Sequence, residues 1–134
     1  MGRKGKEFQK KDFRLTSRLK SFIPALHGIG TLLRYEYNAR IHLFILITVI
    51  VAGIFLRISA TDWLAIIFVT GLVFASECFN TAVEYLSDLI TDEQNENIRR
   101  AKDVAAAGVL IASAVSVITG FIIFIPEILK LLKR

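Results

Sequence analysis

The sequence predicts an all-α integral membrane protein: an N-terminal amphipathic surface helix followed by three transmembrane helices. Three observations carry that expectation. Hydrophobic residues make up 54% of the 134 positions, and the mean hydropathy is +0.54, more than a soluble single-domain chain normally carries. The apolar residues are gathered into long runs, such as IHLFILITVIVAGIFLRI at 41–58 and VAAAGVLIASAVSVITGFIIFI at 104–125. Apart from Arg57, the cations lie outside those runs and mostly to one side of them.

Residues 1–12 hold Arg3, Lys4, Lys6, Lys10 and Lys11 and read as a disordered basic tail. A basic leader suits nucleic acid or anionic lipid. Ahead of membrane spans it is assigned to lipid headgroups, with no nucleic-acid partner. It is not a secretory signal peptide, because no compact apolar core with a small-residue cleavage site follows it. Residues 13–134 form a single membrane domain. Within it, Leu15, Leu19, Phe22, Leu26, Ile29 and Leu33 recur at steps of four and three. With Arg14, Ser17, Arg18 and Ser21 mostly on the other side, this is an amphipathic helix over about 13–35, suited to the membrane interface. Pro24 is expected to kink or divide it.

The spans are expected at about 41–58, 62–86 and 104–125, the last closed by Pro126. The second needs explanation. Its purely apolar part, 63–76, has fourteen residues, whereas a span needs about twenty at a rise of 1.5 Å. Glu77 therefore lies within the membrane and Glu84 near its edge. Trp63 is expected to be an interfacial anchor with no further role. The single cysteine, Cys78, excludes an intrachain disulfide and a cysteine metal cluster, and it reads as a small packing residue.

Orientation follows from the cations. Residues 1–40 and 87–103 together hold thirteen Lys and Arg, against Arg57, Lys130, Lys133 and Arg134 on the other side. Positive-inside places the N-terminus in the cytoplasm, and three spans place the C-terminus outside. That topology gathers Glu36, Glu84, Asp88, Lys102 and Asp103 near one membrane face.

The chemistry is concentrated in ECFNTAVEYLSD, 77–88, followed by AKD at 101–103. Glu77, Asn80, Glu84 and Asp88 stand at i, i+3, i+7 and i+11, one polar stripe on a helix. Carboxylates at bilayer depth are costly and commonly mark function. Phosphoryl transfer needs a divalent cation, groups that hold phosphates, and an acceptor for the hydroxyl proton. Mg²⁺ takes oxygen ligands, often one or two carboxylates plus substrate phosphates. Glu36 and Glu84 suit that task if the first helix reaches the cytoplasmic end of the second span. Glu77, deeper in the apolar segment, is the candidate general base toward a lipid hydroxyl. Asn80 suits orientation of that hydroxyl or of a phosphate, and Lys102 suits ATP phosphates.

Plainer roles compete with these. Glu77, Asn80 and Glu84 also fit an interhelical hydrogen-bond network, and Asp88 and Asp103 fit helix caps or surface ion pairs. Asp92, Glu93 and Glu96 read as a solvated loop, and Arg99 and Arg100 as ordinary cytoplasmic cations. His42, at the start of the first span, is expected to form an interfacial hydrogen bond rather than a pH-sensitive site, and His27 has no assigned site. No P-loop, kinase glycine loop or HRD-type loop is present, and His27-Gly28-Ile29-Gly30 is too short for a nucleotide fingerprint.

The run ECFNTAVEYLSDLI followed by AKDVAAAGVLIA resembles the signature of the small prokaryotic diacylglycerol kinase family, ExxN[ST]A[IV]ExxxD then AKDxxxxAV. The resemblance covers about residues 17–126, including a glutamate before the first span, here Glu36. It implies an ATP- and Mg²⁺-dependent lipid kinase of the bacterial plasma membrane. The implied assembly is a homotrimer with active sites between protomers. By the same resemblance Glu36 and Glu84 match the metal-coordinating glutamates, with Glu77 the base. Asn80 and Asp88 match active-site positions on the second span, and Lys102 and Asp103 match nucleotide-contacting positions. For the N-terminal basic residue that helps hold ATP, Arg18 is the nearest choice, with no motif match behind it. ARIHL at 39–43, KDVAAAG and the ending IIFIP resemble the Gram-positive branch, whose substrate is undecaprenol. Ala105, Ala106 and Gly108 depart from the diacylglycerol branch but stay small.

The function so implied is phosphorylation of undecaprenol to undecaprenyl phosphate. Diacylglycerol kinase, making phosphatidic acid, is the runner-up. From other classes, a small cation or proton channel and a non-catalytic membrane subunit are kept as alternatives.

Overall fold

The computed structural model describes the backbone of residues 15–90 and 95–133 and the side chains of residues 22–90 and 95–133. The basic tail and Arg18's side chain, with Asp92 and Glu93, lie outside those residues. Four helices follow one another: α1 Leu15–Tyr35, α2 Tyr37–Leu56, α3 Ala60–Ile90 and α4 Glu96–Leu132. No strand occurs among the described residues. The last three helices are long and apolar enough to cross a membrane.

α1 and α2 are separated by Glu36 alone, whose backbone is extended (φ −93°, ψ 118°) and whose N–H still donates to the Leu32 carbonyl at 2.9 Å. Its carboxylate makes no capping bond. Pro24 does not divide α1, and Pro126 does not end α4; both helices run through. Each proline removes one N–H donor, and flanking turns that keep their own bonds carry the helix across the gap. Of the stripe expected on α1, Leu33 is half-buried, and the side chains of Leu15 and Leu19 lie outside the described residues. Leu32 is buried, whereas Phe22, Leu26 and Ile29 are exposed.

α2 ends at Leu56, two residues before the expected end of the first span. Arg57 adopts the left-handed conformation (φ 54°), and the N–H groups of Ile58 and Arg57 donate to the carbonyls of Gly53 and Ile54 at 3.2 and 3.3 Å. This is a Schellman closure with arginine where glycine is usual. Ser59 and Asp62 then start α3 as a capping pair: Ser59 N–H donates to Asp62 Oδ2 at 3.0 Å and Asp62 N–H to Ser59 Oγ at 3.2 Å. The tight α2–α3 corner gives Trp63 a structural role that the anchor expectation omitted. A Cβ on Gly53 would stand 2.9 Å from the Trp63 ring. Trp63 also packs against the buried cluster of Ile58, Ile66 and Ile123.

α3 is the organising helix and packs most extensively against α4. Its buried residues, Ile66, Val69, Val73, Glu77, Asn80, Thr81 and Ser87, follow helical spacing along one face. Small residues on α4 (Gly108, Ala112, Ser113 and Ser116) are buried or half-buried, which permits a close approach. Ala39 and Gly53 are buried on α2, with His42, Leu46 and Val49 half-buried at intermediate spacing. Cys78 is exposed, contrary to the packing role expected of it. It follows Glu77 directly, and a helix turns about 100° per residue, which carries it off the buried face.

Candidate functional site

The buried seam of α3 changes character partway along. It is aliphatic from Ile66 to Val73 and polar from Glu77 onward. Helix length sets the depth of each group. From Asp62, Glu77 lies about 23 Å along the axis, Glu84 about 33 Å and Asp88 about 39 Å, against a hydrocarbon core of about 30 Å. Glu77 is thus inside the core region, and Glu84 and Asp88 are beyond it. α4 likewise extends past the apolar segment, its first two turns carrying Glu96 to Asp103.

Glu77 is 2% exposed. His42 Nε2 of α2 stands 3.1 Å from its Oε1, within ion-pair reach though off the line of a hydrogen bond. The charges of Glu36 and Glu84 also act on Glu77. One helical turn on, buried Asn80 donates from Nδ2 to Glu84 Oε1 at 2.9 Å. Asn80 Oδ1, Thr81 Oγ1 and Ser113 Oγ are buried without partners.

Closer to the surface, Lys102 Nζ donates to Asp88 Oδ1 at 2.9 Å and joins the end of α3 to the start of α4. The Asp88 hydrogen bond holds the Lys102 ammonium above its usual range, and the charge of Glu84 adds to the effect. Lys102 precedes the apolar segment of α4, on the same side of it as Glu84 and Asp88. Arg99 pairs with Asp103 at 3.0 Å and with Glu96 at 2.8 Å, and Arg100 with Glu96 at 3.2 Å. Glu96 is therefore helical and paired rather than a loop residue. Asn95 caps the helix, its Oδ1 accepting from the N–H groups of Asn97 and Ile98.

Of the residues singled out by sequence, Glu77, Asn80 and Glu84 share one face of α3, with Glu36 near enough to act on Glu77. Asp88 and Lys102 meet each other beyond them. Asp103 is exposed and held by Arg99 rather than by this group. His42 is the residue that sequence reasoning placed elsewhere. The signal available was depth: six residues after Glu36, on the face of α2 that also carries Ala39 and Gly53.

Among the described residues, no three His, Cys, Asp or Glu side chains converge to hold a metal ion. Two carboxylates, Glu36 with no capping bond and Glu84 with one oxygen held by Asn80, still suit Mg²⁺, which commonly takes its other ligands from substrate phosphates and water. An apolar cleft of about 100 Å³ is lined by His42, Leu46, Val49, Val69, Val73 and Ser113 among others. It lies between α2, α3 and α4 and runs toward Phe124, away from the carboxylates.

The family model described as prokaryotic diacylglycerol kinase matches residues 24–124. The undecaprenol kinase of Bacillus subtilis is 36% identical over 109 residues, covering 81% of this chain and 89% of that protein. The diacylglycerol kinase of a Synechocystis species is 33% identical over 115 residues, covering 85% of this chain and 66% of that protein.

Proposed function

The chain belongs to the prokaryotic diacylglycerol kinase family, a family of membrane lipid kinases, and from that premise we propose that it transfers the γ-phosphate of ATP to the hydroxyl of undecaprenol. The observation that carries the reading is the order of groups along α3. A buried carboxylate stands beside His42, which lines an apolar cleft; an amide and a second carboxylate follow it outward, and a lysine stands beyond. A lipid alcohol keeps its chain in hydrocarbon and presents its hydroxyl at the interface, which suits that order.

In this mechanism Glu77 takes the proton of the attacking hydroxyl. Asn80 spends one amide hydrogen on Glu84 and has a second free to donate to the hydroxyl oxygen. The hydroxyl oxygen attacks the γ-phosphorus, the bond to the β-γ bridging oxygen breaks, and ADP leaves. Glu36 and Glu84 would hold Mg²⁺, which when bound supplies charge neutralisation for the ATP phosphates. Lys102 and Asp88 contact the nucleotide, and Asp103 and Arg18 are given the same role on the family likeness. The active protein is a homotrimer with sites between protomers, supported by how little surface three thin helices offer to enclose a nucleotide. The N-terminus and site face the cytoplasm, supported by the uneven Lys and Arg distribution.

Undecaprenol is favoured by the likeness to the Bacillus undecaprenol kinase, which extends over most of both chains. Diacylglycerol is the second reading, supported by the likeness to the Synechocystis protein. Purified protein given radiolabelled ATP, Mg²⁺ and each lipid in turn, beside Glu84→Gln, tests both. Label in undecaprenyl phosphate, absent with the variant, is expected. Label confined to phosphatidic acid would transfer the assignment to diacylglycerol, and label in neither lipid would return the channel and scaffold alternatives.

A further inference from the structure

The buried Glu77 has its close cationic or donor contact on another helix. Asn80, its neighbour one turn along, is occupied with Glu84. Glu36 and Glu84 bring like charge toward Glu77 rather than relief. His42 Nε2, 3.1 Å from Oε1, is the group that offsets this, from a half-buried position on α2. Leaving a carboxylate unpaired at this depth is costly. A carboxylate with one free torsion after another also has many orientations to choose from, and a general base must be aimed at its proton.

We propose that His42 is a positioning residue for the Glu77 base: its Nε2–H holds Oε1 and leaves the other carboxylate oxygen to the substrate hydroxyl. The inference rests on the role given to Glu77 under the proposed function. The loose alignment of the present contact agrees with a site whose hydrogen bonds tighten when substrate arrives. His42 also lines the apolar cleft, so the imidazole lies between apolar space suited to a lipid chain and the carboxylate it holds.

Two measurements test this, one of which needs no activity. With ¹⁵N-histidine labelling, the chain's two histidines give two imidazoles, and a His27→Gln variant assigns them. Glu77→Gln is expected to move the His42 Nε2 resonance and leave His27 in place. An unmoved His42 resonance overturns the pairing whether or not the protein proves to be a lipid kinase. The second measurement is kinetic. His42→Leu is expected to lower kcat by about 10–100-fold, as for loss of a group that orients another, with KM for ATP and lipid unchanged. His42→Gln keeps an amide N–H near the place of Nε2 and is expected to recover most of that loss. A wild-type kcat in His42→Leu, a rise in lipid KM in its place, or a Gln variant as poor as Leu would each overturn the proposal. Wild-type protein that phosphorylates no lipid would refute the kinase function itself, and the resonance shift would still decide the pairing.

Discussion

Replacing Asn80 with leucine keeps the side-chain size and removes the amide that donates to Glu84 Oε1 at 2.9 Å. A hydrogen bond to a charged group contributes about 1.5–3 kcal/mol. Asn80 is buried but Glu84 is only half-buried, which places the pair at the lower end of that range. At about 1.4 kcal/mol per tenfold, the loss corresponds to roughly a tenfold weaker hold on a cation bound by Glu84. The expected result is therefore a rise of about tenfold in the Mg²⁺ concentration for half-maximal phosphorylation, within the range found when supporting partners of metal ligands are removed. Mn²⁺ binding followed by electron paramagnetic resonance should show the same rise without ATP turnover. An unchanged Mg²⁺ midpoint and unchanged Mn²⁺ binding, with kcat lost, would refute the reasoning and confine Asn80 to the lipid hydroxyl.

Three further outcomes are expected. Glu77→Leu should abolish transfer while an ATP analogue still binds with the wild-type Kd; loss of nucleotide binding would remove Glu77 as the base. Lys102→Ala should raise KM for ATP more than for lipid, because the ammonium that pairs with Asp88 also feels the charge of Glu84; a defect confined to lipid would reverse the assignment. Gly53→Ala gains about 1 kcal/mol in helix propensity but forces a methyl within 2.9 Å of the Trp63 ring. Overpacking costs about 1–3 kcal/mol, so activity should be lost faster on heating; a longer half-life would show that the corner yields easily.

The stripe on α3 was legible in the sequence because helical period and cost of burial act on the same residues. Glu77, Asn80 and Glu84 stand out against apolar neighbours, and their spacing alone puts them on one face. The three spans were legible for the same reason. Their ends were not, since α2 begins at Tyr37 and α4 at Glu96, where polar residues extend the helix beyond the membrane segment. Pro126 misled, and Pro24 does not divide α1, because the rule that prolines break helices weighs one lost bond against a short helix, whereas α1 and α4 have turns on either side to hold. His42 was not legible as a partner of Glu77. Its depth and its face of α2 can be read from the sequence, but its meeting with Glu77 depends on how α2 lies against α3, which no local pattern encodes.

The faces that α2 and α4 turn away from α3 have a consequence for measurement. Only 11% of the most apolar window of each is buried, against 33% for α3. Each span makes its own backbone hydrogen bonds, and in hydrocarbon those bonds have no competing solvent. Helices inserted in a bilayer or micelle can therefore separate from one another and remain helices. A far-ultraviolet spectrum would look native for a chain whose His42 and Glu77 had parted. For this protein helicity is no gauge of integrity, and the informative gauge is a distance between helices.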